Sequence, residues 1–149
     1  MAYFGLISRT KGLETLIDAL GRLPSTVRLL LIGGAATTAE DRAYAAAIER
    51  QIAERGLGTR VQRTGHCAPA EVSAYLLAAD IAALPFSDGA SFRRGSLLAA
   101  LAHGLPVITT APAGARCQRA GPARRRREYV AGAGRRCTKP GPGDRPAPA

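Results

Sequence analysis

No stretch of the 149 residues is apolar for long enough to cross a membrane, and the first residues lack the charged-then-apolar pattern of a secretory signal. A soluble protein of the cytoplasm, with no transmembrane segment, is therefore expected. Cysteine is scarce: Cys67, Cys117 and Cys137 are odd in number and share no CxxC spacing. They suggest neither a disulfide framework nor a zinc site, which fits a reducing compartment. Only two histidines are present, His66 and His103, and the carboxylates do not cluster, so neither a metal nor a cofactor is expected. His66 reads as a loop residue and His103 as a polar group beside the carbonyls that end a helix. Cys67 reads as a small, half-buried side chain.

Acidic residues are also few, 11 against 21 basic ones, for a formal net charge of +10. The imbalance is local. Residues 1–112 hold 11 Arg/Lys and 9 Asp/Glu, whereas residues 113–149 hold 10 and 2. The body is nearly neutral, and a nucleic-acid partner is not expected for it. In the tail, Ala, Gly, Pro and Arg supply 28 of 37 residues, leaving only Tyr129 and Val130 to anchor a core. Such a segment cannot offset its own ordering entropy, so residues 113–149 are expected to be disordered. One origin for it is a basic arm, with the arginines at 124–127 meeting nucleic acid or an anionic membrane. The other is a GC-rich gene read in the wrong frame, because those four residue types have codons built from G and C alone. The abrupt change after Pro112 favours the frameshift.

What residues 1–112 do contain is a regular alternation. Residues 3–7 form a short apolar strand, followed by a polar loop from Ser8 to Gly12. A helix runs from Leu13 to Leu23, with Leu13, Leu16, Ile17 and Leu20 on one stripe. Residues 27–32 are almost unbroken apolar, as in a strand covered on both faces of a parallel sheet. Gly33 and Gly34 then allow a tight turn. A long Ala-rich helix spans 38–55, stopped by Gly56 and Gly58. Residues 60–64 make a more polar strand, placed near a sheet edge. Pro69 opens a third helix at its first turn. Five repeats of strand and helix give an α/β fold, a Rossmann-like doubly wound parallel sheet of about five strands.

The rest is arranged around residues 84–110. A strand ends at Leu84-Pro85, a polar loop carries Ser87, Asp88, Gly89 and Ser91, a helix runs from Gly95 to His103, and residues 107–110 form a β-branched strand. The loop of such a unit lies at the carboxyl ends of parallel strands, where these sheets bind ligands. With Ser91 as cap, the first-turn N–H groups would face the loop and favour a phosphate. Arg93 and Arg94 add two permanent charges nearby. The plainer reading is a capped helix with two solvated arginines. Asp88 is a candidate for sugar hydroxyls, or simply a turn former in Asp-Gly.

Residues 3–112 resemble the C-terminal, donor-binding domain of GT-B glycosyltransferases, specifically glycosyltransferase family 4. Six stretches occur in that family's order: Phe4-Gly5 to Lys11-Gly12, residues 29–34, Gly65-His66, Ala79-Asp80-Ile81, Leu84-Pro85 and residues 100–108. The resemblance implies a nucleotide-sugar donor whose diphosphate and sugar meet Arg9, Lys11, Asp88, Gly89, Ser91, Arg93 and Arg94, with no assigned catalytic residue. The family's two glutamates fall at Ser91 and Ala99, neither acidic, and its usual first-loop arginine falls at Leu6. The form from Asp88 to Arg94 resembles a variant branch. The resemblance also implies a fragment: an N-terminal acceptor domain is missing, so the isolated chain is expected to be inactive. The alternative is a non-catalytic Rossmann-like module that binds a nucleotide or polyanion, with the basic tail adding nucleic-acid affinity. A response-regulator-like domain is disfavoured, since no acidic pair follows the first strand.

Overall fold

The computed structural model describes residues 1–34, 36 and 38–112. Five strands make one sheet: β1 Ala2–Phe4, β2 Leu29–Ile32, β3 Val61–Gly65, β4 Ala82–Leu84 and β5 Val107–Thr109. Their order is β3-β2-β1-β4-β5, and every pairing is parallel. Four helices lie between them, α1 Leu13–Arg22, α2 Ala39–Glu54, α3 Pro69–Leu77 and α4 Gly95–Ala102. From β1 to β3 the chain steps one way across the sheet. From β3 to β5 it steps the other way, so right-handed crossovers put the first two helices on one face and the last two on the opposite face. The expected doubly wound α/β fold is what is observed.

Side-chain chemistry fixes each layer. On α1 the stripe Leu13, Leu16, Ile17 and Leu20 is buried as expected, each side chain worth roughly 1.5–3 kcal/mol of transfer free energy. Across the same face, Gln51 Nε2 donates to Asp18 Oδ1 at 2.5 Å, and the Tyr44 hydroxyl donates to Glu14. Thr38 caps α2 by accepting from the Asp41 amide at 3.0 Å. Pro69 sits in the first turn of α3, and Glu71 accepts from the Ala68 amide at 2.8 Å. On the far face, Ser73 Oγ and His103 Nε2 are 2.7 Å apart, while His103 Nδ1 is 2.8 Å from the Ala99 carbonyl. His103 is thus the helix-end group expected. His66 is exposed in its loop, and Cys67 is half-buried against the Gly65 carbonyl.

Strand ends differ from expectation by a few residues. β1 stops at Phe4 because Gly5, at φ 143°, turns the backbone out of the extended line. β2 starts at Leu29 because Val27 is held in a turn by its bond to the Pro24 carbonyl, 3.0 Å. β3 does lie at an edge, with Gln62 and Arg63 exposed. The tail expected to be disordered lies outside the described residues, as do Cys117 and Cys137.

The switch point falls between β1 and β4, whose chains leave toward opposite faces; ligands bind in the crevice such a divergence opens. Among the described residues β5 has one strand neighbour, β4. A chain cut to residues 1–112 is expected to self-associate through that β-branched edge. Sedimentation should show oligomers, and a monomer that melts cooperatively would refute this.

Candidate functional site

Two loops meet over the switch point. The first follows β1 and contains a 3-10 turn, Arg9–Lys11, ended by Gly12 in the left-handed region at φ 63°. The second follows β4. The Ser87 amide donates to the Thr10 carbonyl at 3.1 Å, tying the loops together. Gly12 lies so close to Pro85 that an added Cβ would stand 2.0 Å from its carbonyl oxygen. The second loop is also tied to the end of β5: Thr110 Oγ1 donates to the Phe86 carbonyl at 2.6 Å, and the Ala90 amide donates to the Thr110 carbonyl at 3.1 Å. Asp88 and Gly89 form the tight turn between these ties, with the Gly89 amide on the Phe86 carbonyl at 3.2 Å.

Two of the expected cations converge. Lys11 Nζ lies 5.1 Å, and Arg94 Cζ 5.0 Å, from the centroid of the Phe86 ring. Arg94, its side chain 20 % exposed, also pairs with Asp88, which is 57 % exposed. Burial lowers the Lys11 pKa below the usual lysine value, and the neighbouring Arg94 lowers it further, with Asp88 opposing in part. The other candidates are placed differently. Arg93 is exposed, and Arg9 stacks over Tyr44 of α2 at 5.5 Å.

Ser91 is not the cap of α4. That position belongs to Arg94, which makes no side-chain cap bond. Ser91 instead accepts from the Arg93 amide through Oγ at 3.3 Å and from the Arg94 amide through its carbonyl at 2.9 Å. This turn through Phe92 and Arg93 separates Ser91 from the helix, which starts at Gly95 as expected. The consequence favours an anion more than a capped helix would. The amides of Gly95 and Ser96 have no backbone acceptor among the described residues. Beside them Ser96 Oγ is buried, the residue only 7 % exposed, without a partner among the described residues. It faces the end of β1, 4.0 Å from where a Cβ on Gly5 would be. Buried hydroxyls are rarely left unpaired, so this one calls for a partner such as a water, an ion or a ligand.

Phe86 and Ser96 were not singled out from the sequence, and Gly12 was named only as the end of the first loop. An apolar residue inside the polar loop 85–91 was the available signal for Phe86. A cleft of about 300 Å³ opens beside the joined loops, walled by Gly12, Glu14, Thr15, Ser87, Asp88 and Thr110 among others. Lys11 and Arg94 do not line it, so the charge pair rather than the cleft defines the site. Among the described residues no three His, Cys, Asp or Glu side chains gather to hold a metal, and no helix is long and apolar enough to cross a membrane.

Residues 1–131 match the family model "Glycosyl transferases group 1". The chain belongs to that family. The match of this group 1 glycosyl transferase runs past Pro112 into the basic segment. Its fold is similar to that of Anabaena HepE, solved in complex with UDP, at 28 % identity and a TM-score of 0.66 over 75 % of this chain and 30 % of that one. The same protein with UDP-glucose gives 29 % and 0.64 over 74 % and 29 %. Sucrose-phosphate synthase from Thermosynechococcus elongatus gives 32 % and 0.62 over 72 % and 27 %. The chain therefore spans about three tenths of the solved proteins it matches. No curated protein sequence matches it.

Proposed function

We propose that residues 1–112 are the donor-binding part of a GT-B enzyme of glycosyltransferase family 4, one that transfers a sugar from a nucleotide-activated donor to an acceptor held by an N-terminal domain. The juxtaposition of Lys11 and Arg94 beside the uncapped start of α4 carries this reading. Two phosphates spread their charge over several oxygens. Two cations, two free amides and the Ser96 hydroxyl supply donors for them, in a site partly shielded from water. The UDP complexes of the HepE structures support the same ligand class. As the bond to the sugar breaks, negative charge grows on the departing diphosphate, and donors already in place stabilise it there. Arg93 and Arg9 stand outside this group as rim charges. Ala99 stands where the resemblance places a glutamate that binds the donor's ribose and cannot hydrogen-bond it, so affinity rests on the phosphates. The chain by itself binds donor without turning it over.

Asp88 competes with the ligand for Arg94. Substituting Asp88→Asn frees the guanidinium from an exposed pair worth about 0.2–1 kcal/mol. UDP is therefore expected to bind up to about fivefold more tightly. A UDP-sugar should gain less, because Asp88 is also placed to accept from sugar hydroxyls. Calorimetric titration with both ligands checks this, and weaker UDP binding by the variant would sink the assignment.

A further inference from the structure

We propose that Phe86 is the positioning residue of this site, its ring holding Lys11 and Arg94 as a fixed pair that takes a diphosphate. The inference rests on the donor reading above and adds a residue to which neither sequence pattern nor family match assigns a role. Phe86 is an apolar residue within a polar loop, yet it is only 1 % exposed. Its backbone is bound on several sides: its amide to the Leu84 carbonyl, its carbonyl to the Gly89 amide and to Thr110 Oγ1. With Ser87 bound to the Thr10 carbonyl next to it, the backbone that carries the ring is tied to both loops.

Lys11 and Arg94 come from loops after different strands, and two like charges drawn together out of water repel. Something must hold them. Both lie about 5 Å from the same ring centroid, within the range where an aromatic face attracts a cation. Asp88 neutralises only one of the two. The lowered Lys11 pKa agrees with a desolvated ammonium close to a second cation. The pair thus carries one positive charge in excess of Asp88, set at a spacing that the ring dictates. An incoming diphosphate supplies the missing negative charge without either long side chain having to be ordered anew.

The test keeps the shape of the residue and changes only its charge distribution. In the full 149-residue chain, position 86 is filled with mono-, di- and trifluorophenylalanine, which progressively withdraw negative charge from the ring face. UDP affinity is expected to fall step by step, by roughly five- to thirtyfold at the trifluoro ring, with the fold itself retained. The Lys11 pKa, followed by NMR of labelled lysine, should fall in the same order, since the ring favours the charged form. A Phe86 that merely fills the core would leave both series flat, and flat series overturn the proposal. Failure of the unmodified chain to take UDP would overturn the donor reading. The Lys11 titration would then still decide whether the ring holds the cation, a flat result excluding it and a graded fall supporting it.

Discussion

Substituting Gly12→Ala is expected to destabilise the fold by about 2–5 kcal/mol and to abolish UDP binding. Two costs combine. Gly12 sits at φ 63°, where an L side chain costs roughly 1–2 kcal/mol. Its new Cβ would also stand 2.0 Å from the Pro85 carbonyl oxygen, closer than any real contact. The backbone of one loop must retreat, and forcing extra volume into a packed contact costs about 1–3 kcal/mol. That retreat separates Lys11 from Phe86 and Arg94. Gly56→Ala supplies the control: its φ is 65°, and nothing lies within 4 Å of the added carbon. It should show the conformational cost alone. Urea unfolding of both variants measures the difference, and equal losses would mean that the two loops do not touch.

Lys11→Ala should weaken UDP binding by roughly ten- to hundredfold, the worth of a charge-assisted hydrogen bond of about 1.5–3 kcal/mol. Arg125→Ala, in the basic segment, should change it little, because a single solvated charge adds only screened attraction. The pH dependence carries a second signature. Lys11 binds a diphosphate only when protonated, and its pKa is lowered by burial and by Arg94. Affinity should therefore fall as pH rises through that lowered value, sooner than an ordinary lysine would allow. The Lys11→Ala variant should lose this alkaline limb. Titrations with UDP across pH decide it; equal losses at Lys11 and Arg125 would reduce the site to general attraction for a basic chain.

The fold was legible because it is written in patterns that need no partner. The stripe Leu13, Leu16, Ile17 and Leu20 and the apolar run of β2 each identify their element and its buried side. From those elements the doubly wound order follows, and with it the meeting of the loops after β1 and β4. Lys11 and Arg94 converge for that topological reason. What the sequence hid depends on contacts between distant residues. Arg9 was grouped with Lys11, but Tyr44 on another helix draws it aside. Ser91 looked like a cap because serine before a helix usually is one; the helix does start at Gly95, but the turn at Phe92 and Arg93 puts Arg94 rather than Ser91 at the cap. The closeness of Gly12 to Pro85 is a matter of tenths of an ångström in the packing of two loops. No residue type announces it.

Ala2 of β1 pairs with Leu30 on one side and Ala82 on the other. The first of the five strands in chain order is therefore the middle strand of the described sheet. No two neighbouring strands are joined by a hairpin, so every pairing waits for a crossover of many residues to close. The loop bearing Lys11 precedes Pro85 and Phe86, the wall and the ring against which it settles, by three helices of chain. Until the two loops meet, Gly12 has nothing to press on and the two cations have nothing to share. The anion site proposed above thus needs the crossovers that follow β3, and ligand competence is expected to report that they have closed.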